Sequence, residues 1–233
     1  MPVLSLYTDP ACSASWAAEP RLRRLEVEFG SDLEITYVMG GLARELSGDV
    51  LGRVLEWLDA GERSGMPLDP RIWHEAPLAS TYPACMAVKA AGDQGREAQA
   101  RLLRTLREGI MCHRRKLDGT EALVEAAREA GLDARRFRID LGSHATVEAF
   151  GADLEKARTV PEAARERGLA WAGATVAPGG ERLALPSLRF SGDGEERWCG
   201  GQHAYEDWRA AALAVGAKPD EADRPDVAGA LGR

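Results

Sequence analysis

Apolar positions along the chain change period three times, and each change marks a different kind of element. Val3 to Tyr7 carries β-branched and aromatic residues ahead of the turn Asp9-Pro10, which predicts a strand. Beyond Cys12 the spacing becomes helical, with Trp16, Leu22, Leu25 and Phe29 on one face and Gly30 as the cap that ends it. Pro20 falls inside this pattern and is expected to kink the helix, because the apolar face resumes at Leu22. Leu33 to Met39 alternates as a second strand, so the opening segment predicts a right-handed β-α-β unit.

After Gly40-Gly41 the pattern is helical for most of the chain. Val50, Leu51, Val54, Leu55 and Leu58 form one stripe, and Leu102, Leu106 and Ile110 another. Asp118-Gly119-Thr120-Glu121 and Thr159-Val160-Pro161-Glu162 have the form of capping boxes, and Gly131 and Gly168 of C-terminal caps. The basic run His113-Arg114-Arg115-Lys116 suits a solvated helix end, where cations are favoured. Near Leu183 the strand pattern returns: Pro186 to Phe190, the turn Ser191-Gly192-Asp193-Gly194, and Glu195 to Cys199 predict a β-hairpin. Gly200-Gly201 then opens a last helix through Tyr205, Trp208, Ala212 and Val215. The expected organisation is an α/β domain over 1–43 and 180–217, a helical insertion over 44–179, and a flexible tail over 218–233.

Composition narrows the function. The 233 residues, 45% hydrophobic, suffice for a substantial core without staples. Thirty basic against thirty-seven acidic residues give a net charge of -7, which argues against general affinity for nucleic acid or anionic membrane. The apolar start is short and lacks a basic leader, so it reads as a strand rather than a signal peptide. Four cysteines at positions 12, 85, 112 and 199 show neither close pairing nor metal-ligand spacing, which suits a reducing cytoplasm and no bound metal. His74, His144 and His203 have no spaced partners and read as surface or capping residues.

Cys12 carries the chemistry. A thiol where a strand gives way to a helix sits among unpaired backbone N–H groups, which favour thiolate over thiol, so its pKa is expected below the free value of about 8.5. The alternative is an incidental core cysteine. Ser15 stands where a C-x-x-C motif has its second sulfur, so the site forms a mixed disulfide and cannot close an internal one. Capping of the first helical turn is the plainer role for Ser15. Cys85, Cys112 and Cys199 read as packed residues, with a distant resolving thiol as the second reading of Cys85.

The run from Asp9 to Pro20, the segment Ser80 to Ala91 and the loop Leu185 to Phe190 together resemble cytoplasmic DsbA-like proteins, including the FrnE and SpxH groups. The resemblance spans nearly the whole chain apart from the tail. It implies an α/β thioredoxin-like fold with a large all-helical insertion, and a cis peptide bond at Leu185-Pro186 that presents Leu185 beside Cys12. The implied site joins Cys12, Ser15 and Pro186 as catalytic residues with Ser13, Ala14, Trp16 and Leu185 around the substrate. Redox members of the family use two cysteines, and this chain departs from them at Ser15.

The expected activity is thiol–disulfide exchange or isomerisation through one cysteine, on protein disulfides or low-molecular-weight thiols. An external thiol such as glutathione completes it, with no tightly bound cofactor. A second reading is a kappa-class type of glutathione transferase or isomerase, in which Ser15 or Ser13 holds the glutathione thiolate. A third is a non-catalytic adaptor of the SpxH type that binds a protein partner.

Overall fold

The computed structural model describes residues 1–46, 48–172 and 180–220. Strand β1 (Val3–Thr8) pairs in parallel with β2 (Glu34–Met39) and antiparallel with β5 (Ser187–Gly192), and β6 (Glu195–Gly200) closes the order β2-β1-β5-β6. β1 is thus an inner strand, and Leu4, Leu6 and Tyr7 are all buried because both faces of the sheet are covered. This is the thioredoxin-like α/β domain.

Helices α1 (Ser13–Ala17) and α2 (Glu19–Phe29) connect β1 to β2. The single kinked helix expected here is two helices, divided at Ala18. Pro20 falls in the first turn of α2, where a missing N–H leaves no hydrogen bond unmade. Leu22, Leu25 and Phe29 of α2 pack with Leu4 and Leu6, with Leu188 and Phe190, and with Trp208 and Ala212 of α11 (Tyr205–Ala214). α11 starts later than Gly200-Gly201 suggests, because Gly200 is still paired in the sheet with Ser187.

Between β2 and β5 come α3 (Val50–Ser64), α4 (Ile72–Glu75), α5 (Tyr82–Gly92), α6 (Arg96–His113), α7 (Thr120–Glu129), α8 (Ala134–Leu141), α9 (His144–Arg158) and α10 (Glu162–Glu166). Their core joins Cys85 and Val88 of α5 to Leu102, Leu106 and Ile110 of α6 and to Phe137 of α8. A short ladder, β3 (Ala170–Trp171) with β4 (Arg182–Leu183), leads back to the sheet. Among the described residues, no helix is long and apolar enough to cross a membrane.

Gly131 and Gly168 end their helices with positive φ, +77° and +70°, and the amides of Leu132 and Leu169 close back onto Ala127 and Ala164. Neither capping box forms. Asp118 instead accepts the Ala79 amide at 2.7 Å, and Thr159 caps the C-terminus of α9 while Pro161 precedes α10. Lys218 and Asp220, at the start of the expected tail, bond through their amides to Asp32 and to the Glu28 carbonyl; residues 221–233 lie outside the described residues.

Buried charge joins the two layers. Arg107 of α6 donates from Nη1 to Glu19 at 2.6 Å and from Nη2 to the Thr8 hydroxyl, both partners belonging to the α/β domain. Asp153 of α9 takes Lys89 at 2.7 Å and the Met39 amide at 2.9 Å. The third tie is Asp9, fully buried just past β1. Its carboxylate accepts the Ala11 and Leu42 amides at 2.8 and 2.7 Å, the Thr81 hydroxyl at 2.7 Å and the Cys85 thiol at 3.3 Å.

Arg107→Met should lower unfolding free energy by about 1.5–3 kcal/mol in a urea titration, because it removes the closest and only buried partner of the Glu19 carboxylate and leaves it Arg104 at 3.4 Å and Arg23 at 3.5 Å. The double variant Arg107→Met/Glu19→Gln should recover part of that loss, and a stable single variant would show that this pair does not hold the layers. Asp9→Asn puts an amide among three donors, and should cost about 1.5–3 kcal/mol.

Candidate functional site

The end of β1 builds the site. Asp9 closes the turn on itself: its side chain takes the Ala11 amide and its carbonyl takes the Cys12 amide at 3.2 Å. Cys12 therefore arrives as the N-cap of α1 in extended geometry, with its sulfur accepting the Ser15 amide at 3.4 Å. The Leu185–Pro186 peptide bond is cis, and the Cys12 thiol points at the Leu185 carbonyl oxygen 3.7 Å away.

Cys12 is only 4% exposed. Burial pushes its pKa up; the Ser15 hydroxyl and amide favour the thiolate, while the Asp9 and Glu56 carboxylates oppose it. The expectation of a lowered pKa is thus corrected. α1 is a single short helix of 5 residues, and what its N-terminus offers does not offset the loss of water around the sulfur.

The neighbouring residues divide into groove and core. Ala14 is exposed and lines a groove of about 580 Å³ together with Pro20, Arg21, Leu185, Pro186 and Gly201. Ser13 is buried, and its hydroxyl donates to Glu56 of α3 at 2.7 Å. Trp16 faces away from the groove into the helical core, with its indole N–H on the Pro67 carbonyl at 2.9 Å and Arg104 stacked over its ring. The position expected to contact substrate is structural. Ser15 Oγ is buried without a hydrogen-bond partner, close enough to Cys12 to favour the thiolate.

Cys85 lies behind the turn, its thiol on Asp9 and its pKa pushed well up by burial and by that carboxylate. All four cysteines are free. Cys112 bonds the Pro67 carbonyl and Cys199 the Asp207 carbonyl.

Two buried charged residues, one in the Cys12 turn and one on the segment that returns to the sheet, escaped the sequence reading. Asp9 was legible only as a turn residue; its place between an apolar strand and the cysteine was the available signal. Arg182 is 5% exposed, stacks on Trp171 at 4.3 Å and donates from Nη1 to the Leu183 carbonyl at 3.0 Å. Its signal is a lone cation ahead of the apolar run Leu183-Ala184-Leu185.

Comparison with known proteins agrees with this geometry. A family model described as Thioredoxin (Thioredoxin_5) matches residues 5–161. The ClpXP adapter protein SpxH of Halalkalibacterium halodurans is 35% identical over 165 residues, 65% of this chain and 53% of that protein. The chain thus spans about half the length of the curated relatives it matches. A putative protein disulfide isomerase from Nitrosomonas europaea superposes with TM-score 0.73 at 18% identity, over 91% of this chain and 96% of the other. The cytosolic disulfide reductase DsbM of Pseudomonas aeruginosa, also solved with GSH, gives 0.67 at 19% identity over 91% and 97%. A probable DsbA oxidoreductase from Streptomyces coelicolor gives 0.61 at 19% identity over 93% and 91%. With the family model covering most of the chain, this protein belongs to the thioredoxin family that the model describes, and the helical insertion set between β2 and β5 of the sheet gives it a DsbA-like fold.

Proposed function

We propose that the chain is a thiol–disulfide oxidoreductase or isomerase that works through Cys12 alone and is reset by an external thiol such as glutathione in the cytoplasm. The observation that carries this reading is the Cys12 thiol held 3.7 Å from the carbonyl of Leu185, a residue that lines an open groove. An extended substrate laid along Leu185 competes for that carbonyl and frees the thiol to lose its proton. The thiolate attacks one sulfur of the substrate disulfide: one S–S bond breaks, one forms to Cys12, and the other sulfur leaves as a thiolate. A glutathione thiolate then attacks the substrate sulfur of the mixed disulfide, so that the substrate departs as its mixed disulfide with glutathione and Cys12 is released as the thiolate. Ser15 has no sulfur with which to do this from within. The similar fold of DsbM, a cytosolic disulfide reductase solved alone and with GSH, supports this choice of chemistry.

The sequence relatives named ClpXP adapter protein favour a second reading, in which the chain binds a protein partner. On α3, Leu51, Leu55 and Leu58 form an apolar stripe 68, 57 and 51% exposed, suited to such a contact.

Oxidised glutathione should add one glutathionyl mass at Cys12, lost in Cys12→Ser; a folded protein that takes up no adduct overturns the exchange reading. Because burial raises the Cys12 pKa, its thiolate fraction at neutral pH lies below that of free cysteine. Its iodoacetamide alkylation rate should still rise past about pH 8.5, whereas a plateau below pH 7 contradicts the burial argument. On the adaptor reading, Leu55→Glu/Leu58→Glu abolishes partner recovery and Cys12→Ala leaves it intact.

A further inference from the structure

The groove that Leu185 and Pro186 line carries charge of one sign. Arg21 of α2 and Arg63 of α3 line it together with Ala14, and among the described residues no aspartate or glutamate does. That contrasts with a chain whose net charge is -7. Arg63 is exposed and takes Asp59 at 2.6 Å, a surface pair that holds it weakly. Arg21 is the better placed of the two.

Arg21 is half-buried and held by neutral groups. Its Nη1 donates to the His203 carbonyl and its Nη2 to the Gly201 carbonyl at 2.7 Å, while the guanidinium lies over the Trp208 ring, 4.9 Å from the centroid. These bonds use two of the five N–H donors that a guanidinium has. Among the described residues no carboxylate pairs with it, and burial alone lowers its pKa. Gly201 in turn donates its amide to the Pro186 carbonyl at 2.9 Å, and Leu185 brings its own carbonyl to the Cys12 sulfur. One set of contacts therefore runs from the thiol through the cis-proline to a cation that two carbonyls orient and no anion neutralises. Asp9 and Glu56, the carboxylates that bear on Cys12, do not line the groove and are engaged elsewhere, by four hydrogen bonds and by Ser13.

We propose that this groove takes an extended peptide disulfide with an acidic residue beside the reacting cysteine, and that Arg21 is the residue that selects it. This rests on the reading of Cys12 as the working nucleophile. The Leu185 carbonyl offers the peptide backbone a hydrogen bond, and Arg21 meets the flanking carboxylate with a guanidinium already stripped of part of its water. The expectation has a direction that bulk charge does not supply. A chain of net charge -7 with an anionic nucleophile favours cationic peptides, so a preference for acidic ones has to come from the groove.

The test uses the full chain and three acetylated, amidated peptides, each with one cysteine as its 2-pyridyl disulfide and flanked on both sides by glutamate, glutamine or lysine. Cys12 attacks the peptide sulfur, the new S–S bond forms there, and pyridine-2-thione leaves and is read by absorbance, with the rate of Cys12→Ser subtracted. The glutamate peptide should react about tenfold faster than the lysine peptide, with the glutamine peptide between them. Arg21→Gln should cut that ratio to about threefold or less, and Arg21→Lys, which keeps the charge, should retain most of it. Equal rates for the three peptides, a faster lysine peptide, or a folded Arg21→Gln with an undiminished ratio overturns the proposal. Should Arg21→Gln lose its native circular dichroism, the parent decides: its ratio has to fall as salt rises from about 0.02 to about 0.5 M, and a constant ratio overturns the proposal. A preference for oxidised glutathione over its ethyl ester, with none among the peptides, overturns the peptide assignment. Failure of every peptide to react at Cys12 overturns the exchange reading itself, whereas loss of selectivity alone leaves exchange standing.

Discussion

Four hydrogen bonds converge on one buried carboxylate, and the arrangement of the site follows from them. Asp9 gathers the turn that carries Cys12, the segment after β2 through Leu42, and the start of α5 through Thr81 and Cys85. These belong to regions far apart in sequence. A carboxylate that only accepts can take four donors at once, which an amide or hydroxyl in its place cannot. Because the donors come from both the α/β domain and the helical insertion, the Cys12 turn is shaped by their junction rather than by its own sequence.

That arrangement has an electrostatic consequence. A carboxylate fixed behind the thiol opposes its ionisation, and burial opposes it further. A thiol in that setting ionises only at a cost, and the groove that Leu185 and Pro186 line runs along the same returning segment whose Leu185 carbonyl faces the sulfur.

What the sequence made legible was whatever depends on near neighbours. Strand β1, the hairpin of β5 and β6, and the caps at Gly131 and Gly168 all follow from local period and local turn chemistry. The misreadings are of the opposite kind. Asp118 abandons a capping role for the Ala79 amide, and Trp16 turns from groove to core because Pro67 and Arg104 wait for it there. Cys12 acquires its raised pKa from Asp9, Glu56 and the surrounding burial, of which only Asp9 is near it in sequence. Arg182 becomes notable only once β4 buries it under the Trp171 ring.

The same logic explains why the two layers are joined by charges. Apolar contacts alone tolerate sliding, since the hydrophobic effect has no direction. The Glu19–Arg107–Thr8 chain and the Asp153–Lys89 pair accept few geometries, and they grip the strand end and the helix that flank Cys12. A buried ion pair adds little net stability over a well-packed apolar one, yet removal of one member is severe. Its contribution here is to position: Thr8 lies four residues before Cys12 and Glu19 seven after, so the insertion clamps the Cys12 turn from both sides. The setting of the Cys12 thiol is therefore a property of both layers, which is why a motif read in isolation describes it incompletely.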